Sequence, residues 1–258
     1  MEERKRKEAE FHSHRERLRK TNEEAYAEIT KNKKFYTITR KSRDYIEQWL
    51  QAECRGKKVL DYCCGSGELS IKVAGYGGYV VGIDIANESI ATCKQRAEEL
   101  DIEGKTAFYV MDAEQMEFED NSFDIIICSG VLHHLDVNKA FPELSRVLRP
   151  DGKIICGEAL GYNPLINWYR RRTPQMRTEW EVDHILTMEE VNIARKHFSK
   201  VEINFFHLAT IAAVPFRKLS IFNGILNILE KVDDFILRIP GIQKQAWQMI
   251  FILSQPVK

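Results

Sequence analysis

The stretch Val59–Ser70, VLDYCCGSGELS, runs from an apolar segment through one acid and two adjacent cysteines into two glycines at alternate positions. The residues from Glu68 onward, ELSIKVAGYG, have helical spacing and a glycine stop. A strand ending in an acid, then a glycine turn, then a helix is where a nucleotide-like ligand approaches the backbone, because glycine has no Cβ to hold it off. The next apolar run, YVVGIDI, ends on Asp84, about 20 residues past the turn, the spacing at which an acid accepts both hydroxyls of a ribose.

The same rhythm continues. NESIATCKQRAEEL reads as a helix, KTAFYVMD as a strand ending at Asp112, FDIIICSG as a strand ending at Ser129–Gly130, NKAFPELSRVL as a helix and KIICGEAL as a strand. Alternating strands and helices predict an α/β fold, a doubly wound and mostly parallel sheet with helices on both faces. The apolar runs are continuous, as strands covered on both sides require. Four successive strand ends carry small or acidic residues, and these ends line one crevice. Beyond Glu158, TMEEVNIARKHF reads as a helix, and VEINFFHL and AWQMIFILSQPV as two final strands.

As a set, VLDYCCGSGELS, VVGIDIANESI, YVMDAEQMEFEDNSFDIIICSGVLHHL and ELSRVLRPDGKIICGEAL resemble the class I S-adenosylmethionine-dependent methyltransferases. The resemblance spans about residues 59–160 and implies seven strands, the last inserted antiparallel. It also implies S-adenosyl-L-methionine as cofactor. Asp61, Cys63, Gly65 and Gly67 would border its methionine part, Asp84 its ribose, Ile85, Asp112 and Ala113 its adenine, and Ser129 its carboxyl and methyl end. The family usually has glycine where this chain has Cys63; a Cβ fits there if the residue keeps φ below zero. Cys63 and Cys64 are too close for an unstrained disulfide and lack metal-ligand company, so they read as small loop side chains. A nicotinamide dehydrogenase shares the glycine turn and the acid, but expects glycine or alanine where Ser70 stands. A cofactor-binding module without transfer activity is the other alternative.

Methyl transfer from a sulfonium is an in-line displacement, so the protein mainly aligns acceptor, methyl and sulfur. A hydroxyl acceptor also gains from a base, and His133 and His134 in SGVLHHL are the candidates, with only one expected to face the crevice. The other reading has one capping a helix and one packing. The family shapes its acceptor pocket after the fifth strand, where Glu158, Tyr162, Asn163 and His184 could reach an acceptor. Arg171, in the run Arg170–Arg172, could hold a carboxylate or phosphate or simply pair with Glu179 and Glu181. The aromatic pair Phe35–Tyr36 reads either as a cofactor lid, with Tyr36 near substrate, or as packing.

With 258 residues, 44% hydrophobic and 29% charged, the chain suits one large domain with appendages. Residues 1–54 read as a helical arm or lid, its 2–34 part a solvated helix laced with charge pairs that packs one edge on the domain, and 55–258 as the catalytic domain. Within that domain, 161–187 is the acceptor-loop region and 209–245 an apolar helical insert. In the insert, Leu219, Phe222, Leu226, Leu229, Val232 and Ile236 draw one stripe that must be covered by the domain, a second subunit, a greasy substrate or a membrane surface. Zero formal net charge and the absence of a basic stripe exclude nucleic acid as an expected partner. No apolar run approaches the ~18 residues of a membrane span, no signal core opens the chain, and the six cysteines include no C-x-x-C, so a cytoplasmic location with reduced thiols is expected. His12 and His14 could ligate a metal only with help from elsewhere, and no partner set is visible, so no metal is expected. The expected activity is O-methylation of a small, moderately apolar molecule, with a lipid-like acceptor, peripheral membrane contact and a homodimer left open.

Overall fold

The computed structural model describes residues 2–258. Three helices open the chain: α1 (Glu3–Thr21), α2 (Glu23–Ile29) and, after a 3-10 turn at Lys31–Ile38, α3 (Arg40–Glu53). Then come β1 (Lys58–Tyr62), α4 (Glu68–Gly75), β2 (Tyr79–Asp84), α5 (Asn87–Glu99), β3 (Thr106–Val110), β4 (Phe123–Ser129), α6 (Val137–Val147) and β5 (Leu148–Ala159). The remainder is α7 (Pro164–Arg171), α8 (Glu179–Asp183), α9 (Met188–Ala194), β6 (Phe198–Phe206), α10 (Phe222–Ile236) and β7 (Gln248–Pro256). The strands form one sheet in the order β3-β2-β1-β4-β5-β7-β6, with β7 antiparallel to both its neighbours and the pairs from β3 through β5 parallel. The order reverses between β1 and β4, which places a crevice outside the carboxyl ends of those strands.

Period-two alternation assigns the sheet's residues to two cores. Leu60, Tyr62, Ile126, Cys128, Ile154, Cys156 and Phe251 pack with Phe141 and Leu144 of α6 and Val191 of α9. Val59, Ile125, Ile127, Ile155 and Ile250 pack on the other side with Leu50 of α3 and Val73 of α4. Each fully buried Leu, Ile or Phe contributes about 1.5–3 kcal/mol relative to exposure, so both faces are strongly specified.

Two sequence expectations gain detail. The charged arm packs by one edge on the domain: Glu8 and Glu16 of α1 are buried, and Glu16 accepts from Thr92 Oγ1 of α5 at 2.7 Å. Its charges also dock it, through Lys5 on Asp112 (2.7 Å), Lys7 on Glu179 (2.9 Å) and Arg4 on Glu114. The apolar stripe of the insert is only partly covered. Phe222, Ile225, Leu226 and Leu229 pack with Ile38, Ile166, Ile211, Val214 and Trp247, while Leu219, Ile221, Ile228, Val232 and Phe235 stay exposed.

The insert is fastened by one buried acid. Asp233 of α10 accepts the backbone N–H groups of Leu208, Ala209 and Thr210 and the Thr210 hydroxyl, the Ala209 bond being 2.6 Å. Asp233→Ala leaves four donors without their acceptor, two of them, Thr210 N and Oγ1, buried and each worth about 1–3 kcal/mol. Urea unfolding should show a loss of about 3 kcal/mol; a loss below about 1 kcal/mol would mean the insert is held by its apolar face instead.

Candidate active site

The β1–α4 turn is built from left-handed residues. Gly65 and Gly67 have φ of 52° and 75°, and Cys63 has φ of 57°, against the expectation that it stays negative. The turn survives with a Cβ at Cys63, at a conformational cost of roughly 1–2 kcal/mol. Glycine is demanded at 67, where a Cβ would lie 2.9 Å from Cys93 Sγ. Asp84, at the end of β2, holds this turn: Oδ2 accepts from Gly65 N (2.9 Å) and Oδ1 from Ala86 N (2.8 Å). Asp61 is fully enclosed and accepts from Ser70 Oγ at 2.6 Å. Burial, helped by the neighbouring Asp84 charge and opposed by Ser70, pushes its carboxyl up to about 6. All six cysteines are free thiols, and burial raises Cys63 far above its ordinary value, so it is not a thiolate nucleophile.

At the end of β3, Asp112 Oδ1 accepts from Glu114 N at 2.9 Å and Oδ2 from Lys5 of the arm. After β4, the turn at Leu132–His134 is organised by Glu158 of β5. Glu158 Oε1 accepts from Val131 N and Leu132 N, both at 2.8 Å, and Oε2 lies 2.7 Å from His133 Nδ1. Both its oxygens are therefore committed, which corrects its reading as an acceptor contact: it positions the histidine turn. Burial works against charge on His133, but Glu158 and Glu181 outweigh it and raise its pKa to about 9. An imidazole held protonated does not serve as a general base at neutral pH. His134 goes the other way, lowered by burial and by the charge on His133, and its Nδ1 lies 3.1 Å from Glu8 Oε2.

These groups line one cavity of about 560 Å³. Asp61, Cys63, Gly65, Asp84, Ile85, Asp112, Ala113 and Ser129 form its sheet side. His133, His134, Glu158 and Tyr36 line it as well, so both histidines face the crevice where one was expected. Gly67 lies just outside, at the start of α4.

Four proposed acceptor contacts are elsewhere. Tyr162 packs against the core and its hydroxyl accepts from Met188 N. Asn163 is buried, caps α7 through Leu165 N and Ile166 N, and donates to Gln245 O. Arg171 is exposed. His184 is exposed and stacks on Trp180 with ring centroids 3.5 Å apart. The residues that do reach the cavity from this region are Arg170, Arg177 and Glu181, joined by Trp247 from the far end of the chain and by Lys5, Glu8 and His12 of α1. Burial and the facing Arg177 lower Arg170 to about 10. The i,i+4 spacing of Glu8 and His12 is a local sequence signal for the part of α1 in the site.

Residues 60–156 match the family of methyltransferase domains. Over that central part the chain is similar to methyltransferase domains. The strand order is that of the class I methyltransferase fold, and the cavity lies over the β1 and β2 ends of its sheet. The chain is 31% identical over 139 residues to a 2-phytyl-1,4-naphtoquinone methyltransferase of Nostoc punctiforme, covering 52% of this chain and 56% of that protein. It is 36% identical over 107 residues to a demethylmenaquinone methyltransferase of Bacillus cereus, covering 40% and 45%. The match thus spans about half the length of these relatives. Among solved structures, phosphoethanolamine N-methyltransferase 2 of Haemonchus contortus, in complex with S-adenosyl-L-methionine, aligns at a TM-score of 0.58 and 20% identity, covering 79% of this chain and 50% of that one.

Asp61 supplies a pH prediction. A carboxyl whose folded pKa is raised binds more protons folded than unfolded, so its contribution to stability is complete below about pH 4 and is lost as pH rises through about 6. Asp61→Asn should therefore unfold at higher urea than the parent at pH 8, by about 2–3 kcal/mol, with the gain gone by about pH 4. It should also weaken S-adenosylhomocysteine binding. A pH-independent difference in stability would show that the carboxyl is not held near 6.

Proposed function

We propose that the protein transfers the methyl group of S-adenosylmethionine to an oxygen of a small amphiphilic molecule. The observation that carries this reading is that one continuous cavity joins the slot at Asp84 and Asp112 to a chamber walled by Tyr36, Tyr169, Ile166 and Trp247. Donor and acceptor can thus meet inside a single enclosure. Alignment of methyl, sulfur and acceptor there supplies about 7–11 kcal/mol of the barrier reduction, and α1 over the strand ends keeps water out.

The chamber's apolar walls suit a greasy body, in keeping with the naphtoquinone and menaquinone methyltransferases among the relatives. Its far end is cationic. Among the described residues, the Arg170 and Arg177 guanidiniums bond to the backbone carbonyls of Glu181 and Thr173 and to the Thr173 hydroxyl, not to a carboxylate. Two half-buried guanidiniums side by side favour an anionic group on the acceptor, a carboxylate or phosphate. An acceptor hydroxyl sheds a proton on methylation. Charged His133 cannot receive it, so it leaves to water at the cavity mouth.

A membrane-borne acceptor also fits the uncovered face of α10. Ile221, Ile228 and Phe235 recur every seven residues, 57%, 65% and 71% exposed, with Lys218, Lys231 and Arg238 exposed nearby. Apolar residues flanked by bases suit peripheral contact with an anionic bilayer. No described helix is long and apolar enough to cross a membrane.

Transfer of labelled methyl to paired acceptors, one acidic and one with the acid masked, tests the chamber. Arg177→Ala should lower kcat/KM for the acidic acceptor by about 10–100-fold and leave the masked one within about twofold; equal losses would remove the anion-binding role. In vesicle flotation, the parent should rise with anionic liposomes and Ile228→Asp/Phe235→Asp should stay below. If the parent also stays below, surface binding is rejected.

A further inference from the structure

We propose that Glu8, His12 and His134 form a site for a divalent transition-metal ion, bridging α1 to the turn after β4 at the mouth of the acceptor chamber. The three residues come from opposite sides of the cavity. Glu8 and His12 are one helical turn apart on α1 and point the same way. His134 sits on the 3-10 turn facing them. Glu8 Oε2 lies 3.4 Å from His12 Nε2 and 3.1 Å from His134 Nδ1, and one ligand atom from each residue falls within 4.8 Å of the other two.

Those separations discriminate between two arrangements. Charge-assisted N–H···O bonds draw in to about 2.7–2.9 Å, as His133 does on Glu158 at 2.7 Å. Ligands held ~2.0–2.1 Å from a shared tetrahedral centre stand about 3.3 Å apart. The 3.4 Å contact to His12 has the second spacing, and the 3.1 Å contact to His134 lies between the two. Two imidazoles and one carboxylate are also the donor set of open, catalytic zinc sites rather than of oxygen-seeking Mg²⁺ or Ca²⁺.

The surroundings hold the donors in place. Glu8 Oε1 takes the Thr178 hydroxyl, leaving Oε2 for the shared centre. The Arg4 guanidinium donates to the His134 carbonyl at 2.8 Å. Glu181 Oε2 stands 4.0 Å from His134 Nδ1, outside the triad, and is held there by Thr178 N. Such outer contacts fix ligand orientation, and their loss typically costs 10–100-fold in metal affinity.

All three ligands line the cavity, so the remaining coordination position opens to the acceptor. This role rests on the oxygen-methylation reading above, whereas the site itself rests on geometry alone. A hydroxyl oxygen bound there loses its proton more readily. The proton passes to water at the cavity mouth. The oxygen lone pair forms the new O–CH3 bond, the S–CH3 bond breaks with its pair returning to sulfur, and the sulfonium leaves as the neutral thioether S-adenosylhomocysteine. The ion also ties the arm to the catalytic turn, so occupancy and closure of α1 go together.

The test is calorimetric titration of the chelator-treated full chain with Zn²⁺, with S-adenosylhomocysteine titrated in the same preparations. One equivalent of Zn²⁺ should bind. His12→Ala and Glu8→Gln should each weaken binding at least about tenfold, and His14→Ala, an exposed neighbour on the same helix, should match the parent. No saturable uptake, or undiminished uptake in both variants, overturns the site. Should the variants fold poorly by circular dichroism, Co²⁺ substitution of the parent decides: an intense visible d–d spectrum that Zn²⁺ displaces supports the site, and its absence overturns it. Retained S-adenosylhomocysteine heat without Zn²⁺ uptake removes the metal and leaves the transferase reading standing. Zn²⁺ uptake without that heat removes the transferase reading instead.

Discussion

Carboxylates buried at the carboxyl edge of the sheet set the positions of the loops above it. An acid enclosed there is tolerable only if hydrogen bonds replace its water, and the nearest donors are the N–H groups of the turns leaving the strands. Asp84 collects Gly65 and Ala86; Glu158 collects Val131, Leu132 and the His133 ring. Asp61 has only Ser70, and its raised pKa follows from that shortage. One kind of interaction therefore shapes the glycine turn, orients the histidine turn and leaves a slot between them.

The arm extends the same logic across a long stretch of chain. Glu114 has no exposed side-chain surface and meets Lys5 at 2.9 Å, while Lys5 also meets Asp112 at 2.7 Å. The acids beneath thus select where the cations of α1 come to rest. Lys5 and Asp112 both line the cavity, so their pairing seats the arm on the edge of the site. Surface pairs such as Arg6–Glu10 contribute little by comparison.

How much was legible in the sequence follows from how local each signal is. The βα rhythm, the acids at 61, 84 and 112, and the glycine turn are short-range patterns, and the sheet reproduces them in order. The left-handed φ of Cys63 was not legible, because its residue type argues against that conformation and the surrounding turn imposes it. Which charges of the arm meet the domain was not legible, because a charged residue's partner, such as Asp112 for Lys5, lies 107 positions away. Tyr162, Asn163, Arg171 and His184 had the right composition for a binding loop. Whether a polar side chain faces the ligand or caps a helix depends on loop geometry that composition does not carry. The same holds for Arg170 against Arg171, adjacent in sequence and pointing to cavity and solvent respectively.

The account stands or falls on the slot over the β1 and β2 ends. Calorimetry of the purified full chain with S-adenosylhomocysteine measures it directly, with a nicotinamide dinucleotide run alongside. The predicted result is saturable heat at one nucleoside per chain, abolished by Asp84→Ala, and none with the dinucleotide. Silence with S-adenosylhomocysteine, or heat with the dinucleotide alone, would contradict it.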